Sequence, residues 1–281
     1  MTHPAIRPHC VAVITGAAAG IGFAIACRLA QAGMKIVLFD KDQQALDTAS
    51  SMLMERTAQD NILTVTGDVT STASLQALFD HACEFGEVSV VINNAAIIQG
   101  AGPWQTSTQW RTVMETNFWS VLHIQQLFVP HLLAQNTPAA IVNLGSKEGI
   151  TTPPGNAAYS VSKAAIKVLT EQLQHELRQH PAQRVSAHLL IPGYTFTPMN
   201  FPGMTSTTVK PPAPWTAAQV AECLVEGMNK GDFYIFCEDN EVSWQLDQRR
   251  IQWSADDMIL NRPALSRWHP DYQAAFKTFI S

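Results

Sequence analysis

Six short, almost continuously apolar runs alternate along this chain with longer segments of helical period. The runs are Val11 to Ile14, Lys35 to Phe39, Ile62 to Val65, Val88 to Ile92, Ala140 to Leu144 and Val185 to Ile191. Strands that are apolar on both sides must be covered on both faces. The helix candidates between them, near 20–33, 42–54, 71–85, 107–134 and 157–179, are long enough to cross back over a sheet. The alternation predicts an α/β fold, a doubly wound parallel sheet of about seven strands with helices on both faces. The seventh strand is Phe233 to Cys237, preceded by a helix that opens on the capping box Thr216-Ala217-Ala218-Gln219 and ends near Gly231. One domain is expected to hold all 281 residues.

Two stretches depart from this rhythm. Pro192, Pro198, Pro202, Pro211, Pro212 and Pro214 make the region after Ile191 too proline-rich for a helix or a central strand, so a surface loop is expected near 198–215. The tail near 240–281 carries Trp244, Leu246, Ile251, Trp253, Met258 and Ile259. That is too much apolar surface to leave in water, so the tail should be partly helical and docked, on its own subunit or across an oligomer interface.

Composition narrows the partners. Charged residues make up 15% and apolar ones 46%, which excludes disorder and requires a large core or an oligomer interface. A net charge of −5 without a basic run offers no footprint for nucleic acid or an anionic membrane. Cys10, Cys27, Cys83, Cys223 and Cys237 are odd in number and contain no C-x-x-C, which fits a reducing cytoplasm rather than a disulfide framework. Without H-E-x-x-H among nine histidines, no metal is expected. Thr15, Gly16, Gly20, Gly22 and Arg28 interrupt the apolar start, so it reads as neither a signal peptide nor a membrane span.

The chemistry-bearing residues lie where the predicted strands end. The first strand runs into Thr15-Gly16-Ala17-Ala18-Ala19-Gly20-Ile21-Gly22 and then a helix, so a pyrophosphate there would meet free N–H groups and the positive end of the helix dipole. Asp40 closes the second strand, placed to bind both hydroxyls of an adenosine ribose and to repel a 2′-phosphate, although it could instead cap the next helix. This favours NAD over NADP, with Lys41 as the opposing charge. Tyr159 and Lys163, four apart, share one helix face, where an ammonium lowers the pKa of a phenol. Ser146 follows the fifth strand at the carboxyl edge of the sheet, where open α/β folds place their sites.

Together with Asp68-Val69, Asn93-Asn94-Ala95-Ala96, Asn117 and Pro192-Gly193 followed by Thr197, these residues resemble the short-chain dehydrogenase/reductase family in its compact, Rossmann-type branch, over about residues 9–200. The resemblance implies a nicotinamide cofactor held by Gly16, Ala18, Gly20, Ile21, Gly22, Asp40, Lys41, Asp68, Val69, Asn94, Ala95, Ala96, Tyr159, Lys163, Pro192, Gly193, Thr195 and Thr197. It implies a catalytic tetrad of Asn117, Ser146, Tyr159 and Lys163, with Asn117 fixing a water that feeds Lys163 or merely bracing a helix. Departures are Gly145 before the catalytic serine, Ala96 in place of glycine, and a last strand leading into Glu238-Asp239-Asn240 and the long tail.

The expected activity is NAD-dependent hydride transfer on a secondary alcohol or ketone. Ile98, Gln99, Glu148, Asn156, Tyr194, Met199, Phe201 and Met204 are the candidate substrate walls, suited to a medium-sized lipophilic molecule. A homodimer or homotetramer is expected. A non-catalytic dinucleotide sensor is the competing reading, which a complete tetrad argues against; a dehydratase or epimerase would use a different glycine spacing and a longer chain.

Overall fold

The computed structural model describes residues 2–105, 107–205 and 207–281. In chain order the first six strands are β1 Val11–Thr15, β2 Lys35–Asp40, β3 Ile62–Thr66, β4 Val88–Asn93, β5 Ala139–Leu144 and β6 Val185–Ile191. Two short strands, β7 Thr195–Phe196 and β8 Trp215–Thr216, and then β9 Tyr234–Phe236 complete the set. Seven of them form one parallel sheet in the order β3-β2-β1-β4-β5-β6-β9. This is the Rossmann-type architecture the alternation predicts.

Helices cover both faces: α1 Gly20–Gln31, α2 Gln43–Leu53, α3 Thr72–Phe85, α4 Ser107–Met114, α5 Ser120–Gln135, α6 Glu148–Thr151, α7 Ala157–Gln179 and α8 Ala217–Lys230. Alternation within β1 assigns the layers. Ala12 and Ile14 join Ile25 and Leu29 of α1 and Leu224 of α8, whereas Val11 and Val13 join Leu78 of α3, Phe128 of α5 and Leu177 of α7. Because side chains alternate across a strand, each run supplies both cores at once. Between β1 and β4 the chain order reverses direction across the sheet, which leaves a crevice at the carboxyl edge.

Two expectations change. The helix read as 107–134 is interrupted: α4 and α5 are joined by a π-type turn over Glu115–Trp119, where Asn117 turns inward to bond another segment. Such turns relieve a helix that must redirect a side chain. The proline-rich stretch is bracketed by a two-stranded parallel ribbon, Thr195 opposite Trp215 and Phe196 opposite Thr216. Prolines inside the loop do not prevent its non-proline ends from pairing. Ser206 of that loop lies outside the described residues.

The tail folds on this same chain as α9 Trp244–Ile259 and α10 Gln273–Ile280. Trp253 of α9 is buried; its indole N–H donates to Ser266 Oγ at 2.8 Å, and its ring meets Phe276 and Phe279. Helix α9 packs on α6.

Candidate active site

A cleft of about 420 Å³ opens at the carboxyl edge of the sheet, at the β1/β4 reversal. One end is the glycine turn. Gly16 has φ of +62°, and a Cβ at Gly22 would lie 2.4 Å from the Gly16 carbonyl oxygen, so neither position accepts a side chain. The Asn94 amide donates to the carbonyls of Thr15 and Gly16, both at 2.9 Å, and thereby locks the turn from the β4 side. The Thr15 hydroxyl accepts the N–H groups of Asn94 and Ala95. No side chain caps α1 and none in its first turn is acidic, so its leading N–H groups remain available to an anion. A dinucleotide pyrophosphate fits this cradle.

Asp40 lines the same end, where its carboxylate accepts N–H groups from Ala18 at 3.2 Å and Asp42 at 3.3 Å. Capping of α2 falls instead to Asp42, which accepts the Ala45 N–H at 3.0 Å. Lys41 is exposed and outside the cleft lining. Asp68, also outside it, sits low in pKa because the Thr70 backbone N–H binds its carboxylate; Val69 is a core residue.

At the other end, α7 carries Tyr159 and Lys163 against the turn after β5. The helix is keyed to the sheet by a buried polar chain: the Asn93 amide donates to Asn143 at 2.8 Å and the Asn143 amide to Thr170 at 2.9 Å. Tyr159 and Ser146 face each other across the cleft lining, and Ser146 Oγ accepts the Glu148 N–H at 3.1 Å. Lys163 is buried and donates to the Leu144 carbonyl at 2.8 Å.

The expected lowering of the Tyr159 pKa is reversed. Burial pushes the phenol up to about 12, opposed by the Ser146 hydroxyl and assisted by the Glu148 carboxylate. Lys163 is directed to Leu144, with its Nζ 5.7 Å from the Tyr159 ring centre, and burial lowers the lysine itself to about 8. Burial likewise raises Glu148, against a hydrogen bond from Asn156.

Of the expected residues, Gly16, Gly20, Ile21, Asp40, Asn94, Ala95, Ala96, Ser146, Tyr159, Lys163, Pro192, Gly193, Thr195 and Thr197 line the cleft, as do Ile98, Glu148, Tyr194 and Met199. Ala18, Gly22, Asn117, Gln99, Asn156, Phe201 and Met204 do not. Phe201 stacks on Tyr194 and meets Phe196 edge-on, so its ring is spent inside the loop. Asn117 accepts the Ile97 N–H at 2.8 Å and donates to the Ile97 carbonyl and to Ser162 Oγ. Both its amide hydrogens are taken, so its side chain braces the segment after β4 and offers no donor to a water.

Ala19, Leu144, Gly145, Lys147, Pro198 and Asn200 also line the cleft and escaped sequence reading. Lys147 carried a signal, a charge placed beside Ser146 at a strand end. Ala19 and Gly145 sit inside motifs already singled out but bear no chemistry of their own, Leu144 and Pro198 are apolar, and Asn200 is a polar loop residue with no distinguishing neighbours.

A family model described as short chain dehydrogenase matches residues 10–205. The chain belongs to the short-chain dehydrogenase family. Among its relatives is a 1-deoxy-11-beta-hydroxypentalenate dehydrogenase of Streptomyces exfoliatus, 34% identical over 86% of this chain and 88% of that protein. Among solved structures, a short-chain dehydrogenase/reductase from Burkholderia phymatum in complex with NAD superposes with a TM-score of 0.81 at 31% identity, covering 91% of this chain and 96% of the other. A short-chain dehydrogenase from Sphingobium yanoikuyae in complex with NADPH, at 24% identity and TM-score 0.70, covers 81% of this chain and 87% of that one and shows the shared fold. The protein is therefore a nicotinamide-dependent oxidoreductase by family. No helix among the described residues is long and apolar enough to cross a membrane.

Proposed function

We propose that the protein is a cytosolic, NAD-dependent dehydrogenase that interconverts a medium-sized lipophilic secondary alcohol and its ketone, the whole chain serving as one catalytic unit. The observation that carries this reading is the pairing of Tyr159 with Ser146 inside the cleft, with Lys163 one helical turn away. The bound nicotinamide would accept or supply hydride. In reduction, the Tyr159 hydroxyl gives its proton to the carbonyl oxygen; in oxidation the phenolate takes the alcohol proton back. Ser146 donates a hydrogen bond to the same oxygen and stabilises the charge that develops there. Lys163 supplies positive charge beside the phenol and is placed to hold the cofactor ribose.

The glycine turn, the Asn94 lock and the free N–H groups of α1 support pyrophosphate binding, and the fixed Asp40 carboxylate supports NAD. Ile98 and Met199 suit an apolar substrate, and Glu148 offers one polar contact. The name of the Streptomyces relative, a 1-deoxy-11-beta-hydroxypentalenate dehydrogenase, agrees with a hydroxyl-bearing substrate. Asn117 acts as a brace for the segment after β4. A homodimer or homotetramer is the working assembly.

Incubation with NAD and a panel of secondary alcohols, followed at the NADH absorbance, tests the reading. Turnover is expected for wild type, and Tyr159→Phe should lower kcat by about 10²- to 10⁴-fold with NAD affinity nearly unchanged. Near-normal kcat in that variant would refute the assignment of Tyr159.

A further inference from the structure

The stretch that follows β9 touches three separate parts of the cleft wall. Lys147, directly after Ser146, has its ammonium 2.5 Å from Asp247 Oδ2 in the first turn of α9 and 3.9 Å from Asp239 Oδ2. Both carboxylates are buried, Asp239 at 9% exposure and Asp247 at 5%. Asp239 in turn accepts the N–H of Tyr194 through Oδ2 at 3.3 Å and those of Glu241 and Val242 through Oδ1.

The same ammonium lies against Gly193: a Cβ there would be 3.0 Å from Lys147 Nζ and 2.7 Å from the Glu238 carbonyl oxygen. Asn240 closes the arrangement, because its N–H donates to the Ala213 carbonyl at 3.0 Å and its side chain to the carbonyls of Pro212 and Pro214. Residues 238–247 thus connect the Ser146 turn, the Gly193–Tyr194 segment and the returning end of the proline-rich loop.

Stability does not explain the ion pair. Burial raises the Asp247 carboxyl above its ordinary range despite Lys147 and Arg250 beside it. A buried pair of this kind is often no more stabilising than apolar side chains of the same volume, while losing one partner is costly. What it supplies is direction: the charged contact holds the Ser146 turn against Asp239 and Asp247, and Asp239 passes the restraint on to the Tyr194 N–H.

We propose that Lys147 is a positioning residue for the reaction, held by Asp239 and Asp247 so that the C-terminal segment sets the spacing between the Ser146 turn and the Gly193–Thr197 wall. The proposal rests on Ser146 and Tyr159 being the reacting pair. The tail is then part of the active-site frame on its own subunit, and the two sides of the cleft are fixed relative to each other by Asp239 and Asp247, which lie beyond the family match over residues 10–205.

Full-length Lys147→Met and Asp247→Asn, with Asp247→Glu as the conservative variant, provide the test. For the alcohol that wild type oxidises, kcat should fall tenfold or more in the first two, and Asp247→Glu should keep most of the activity. Affinity for ADP-ribose, which lacks the nicotinamide, should stay within twofold. Backbone amide exchange should quicken at least tenfold over 193–200 and stay unchanged over 16–22. Unchanged exchange over 193–200 in both variants would overturn the proposal, as would equal quickening over 16–22, which would mean general loosening, or quickened exchange with normal kcat. If Lys147→Met does not fold, Asp247→Asn decides alone. The two readings fail differently: a wild type that oxidises no alcohol would defeat the functional reading, and this one with it, whereas normal alcohol oxidation with unchanged exchange over 193–200 would defeat this one alone.

Discussion

Lys163 is a charged group with almost no solvent, and that gives the protein a pH signature. Its folded value is about 8, whereas an ordinary lysine titrates near 10.5. Between those values the unfolded chain holds a proton that the folded one has released, so stability rises with pH across the window; below about pH 8 both states are charged and the burial cost is fully present. Tyr159 works in the opposite sense above pH 10, because its folded value is about 12. Lys163→Met removes the lysine titration, so wild type should gain about 2–3 kcal/mol on the variant between pH 7.5 and pH 10. Urea unfolding of both proteins at the two pH values checks this, and a constant difference would contradict it. Asp40 carries a second prediction at this scale. A 2′-phosphate beside its fixed carboxylate costs about 1–4 kcal/mol at an intermediate effective dielectric, so kcat/KM should favour NAD over NADP by about tenfold to a thousandfold. Asp40→Ser should bring the two cofactors closer, and equal values in wild type would defeat the argument.

Elements are held in register here by side chains that substitute for backbone partners. Asn117 is the main example, since its amide satisfies both the N–H and the carbonyl of Ile97 from a helical turn. Asn117→Ala would leave those two groups without a partner, at about 1–3 kcal/mol each. The midpoint of urea unfolding should fall accordingly, and KM should rise because Ile98 on the cleft wall follows Ile97. A variant with unchanged stability would mean that the bracing is dispensable. The helix interruption was not legible from the apolar pattern over 107–134, because a single residue added to a turn barely alters periodicity. The start of α8 was legible: Thr216 and Gln219 form the reciprocal cap that their spacing predicts.

At the scale of the whole molecule, the exposed apolar residues bear on assembly. Trp119, Val161 and Val168 are exposed at 42%, 47% and 53% on α7 and the turn that leads into α5. They provide apolar surface for a two-fold contact between copies of this chain. Light scattering at micromolar concentration should show a mass at least twice 30.8 kDa. A species of 30.8 kDa alone would refute the dimer or tetramer, while leaving the cleft chemistry untouched.

The residue order alone carried the parallel sheet, the glycine turn, Asp40 at the end of β2, and Tyr159 with Lys163 on one helix face. Each of these is written into a few neighbouring residues as a continuous apolar run, a helical period of 3.6, a residue without a Cβ, a charge at a strand end, or a spacing of four. It also carried a docked, partly helical tail, but of the apolar residues expected to be hidden there only Trp253 is buried, while Met258 and Ile259 stay 81% and 72% exposed. Where that tail docks, which residues face the cleft, and the direction of the Tyr159 shift were decided only in three dimensions. Lys147 and Asp247 lie far apart in sequence, and their pairing exists only because α9 packs on α6. Phe201 leaves the cleft because Tyr194 and Phe196 provide a better surface within its own loop. The phenol rises because solvent is excluded around it and the Glu148 carboxylate adds its charge. Desolvation and long-range contact depend on the complete packing of the chain, and no local pattern encodes them.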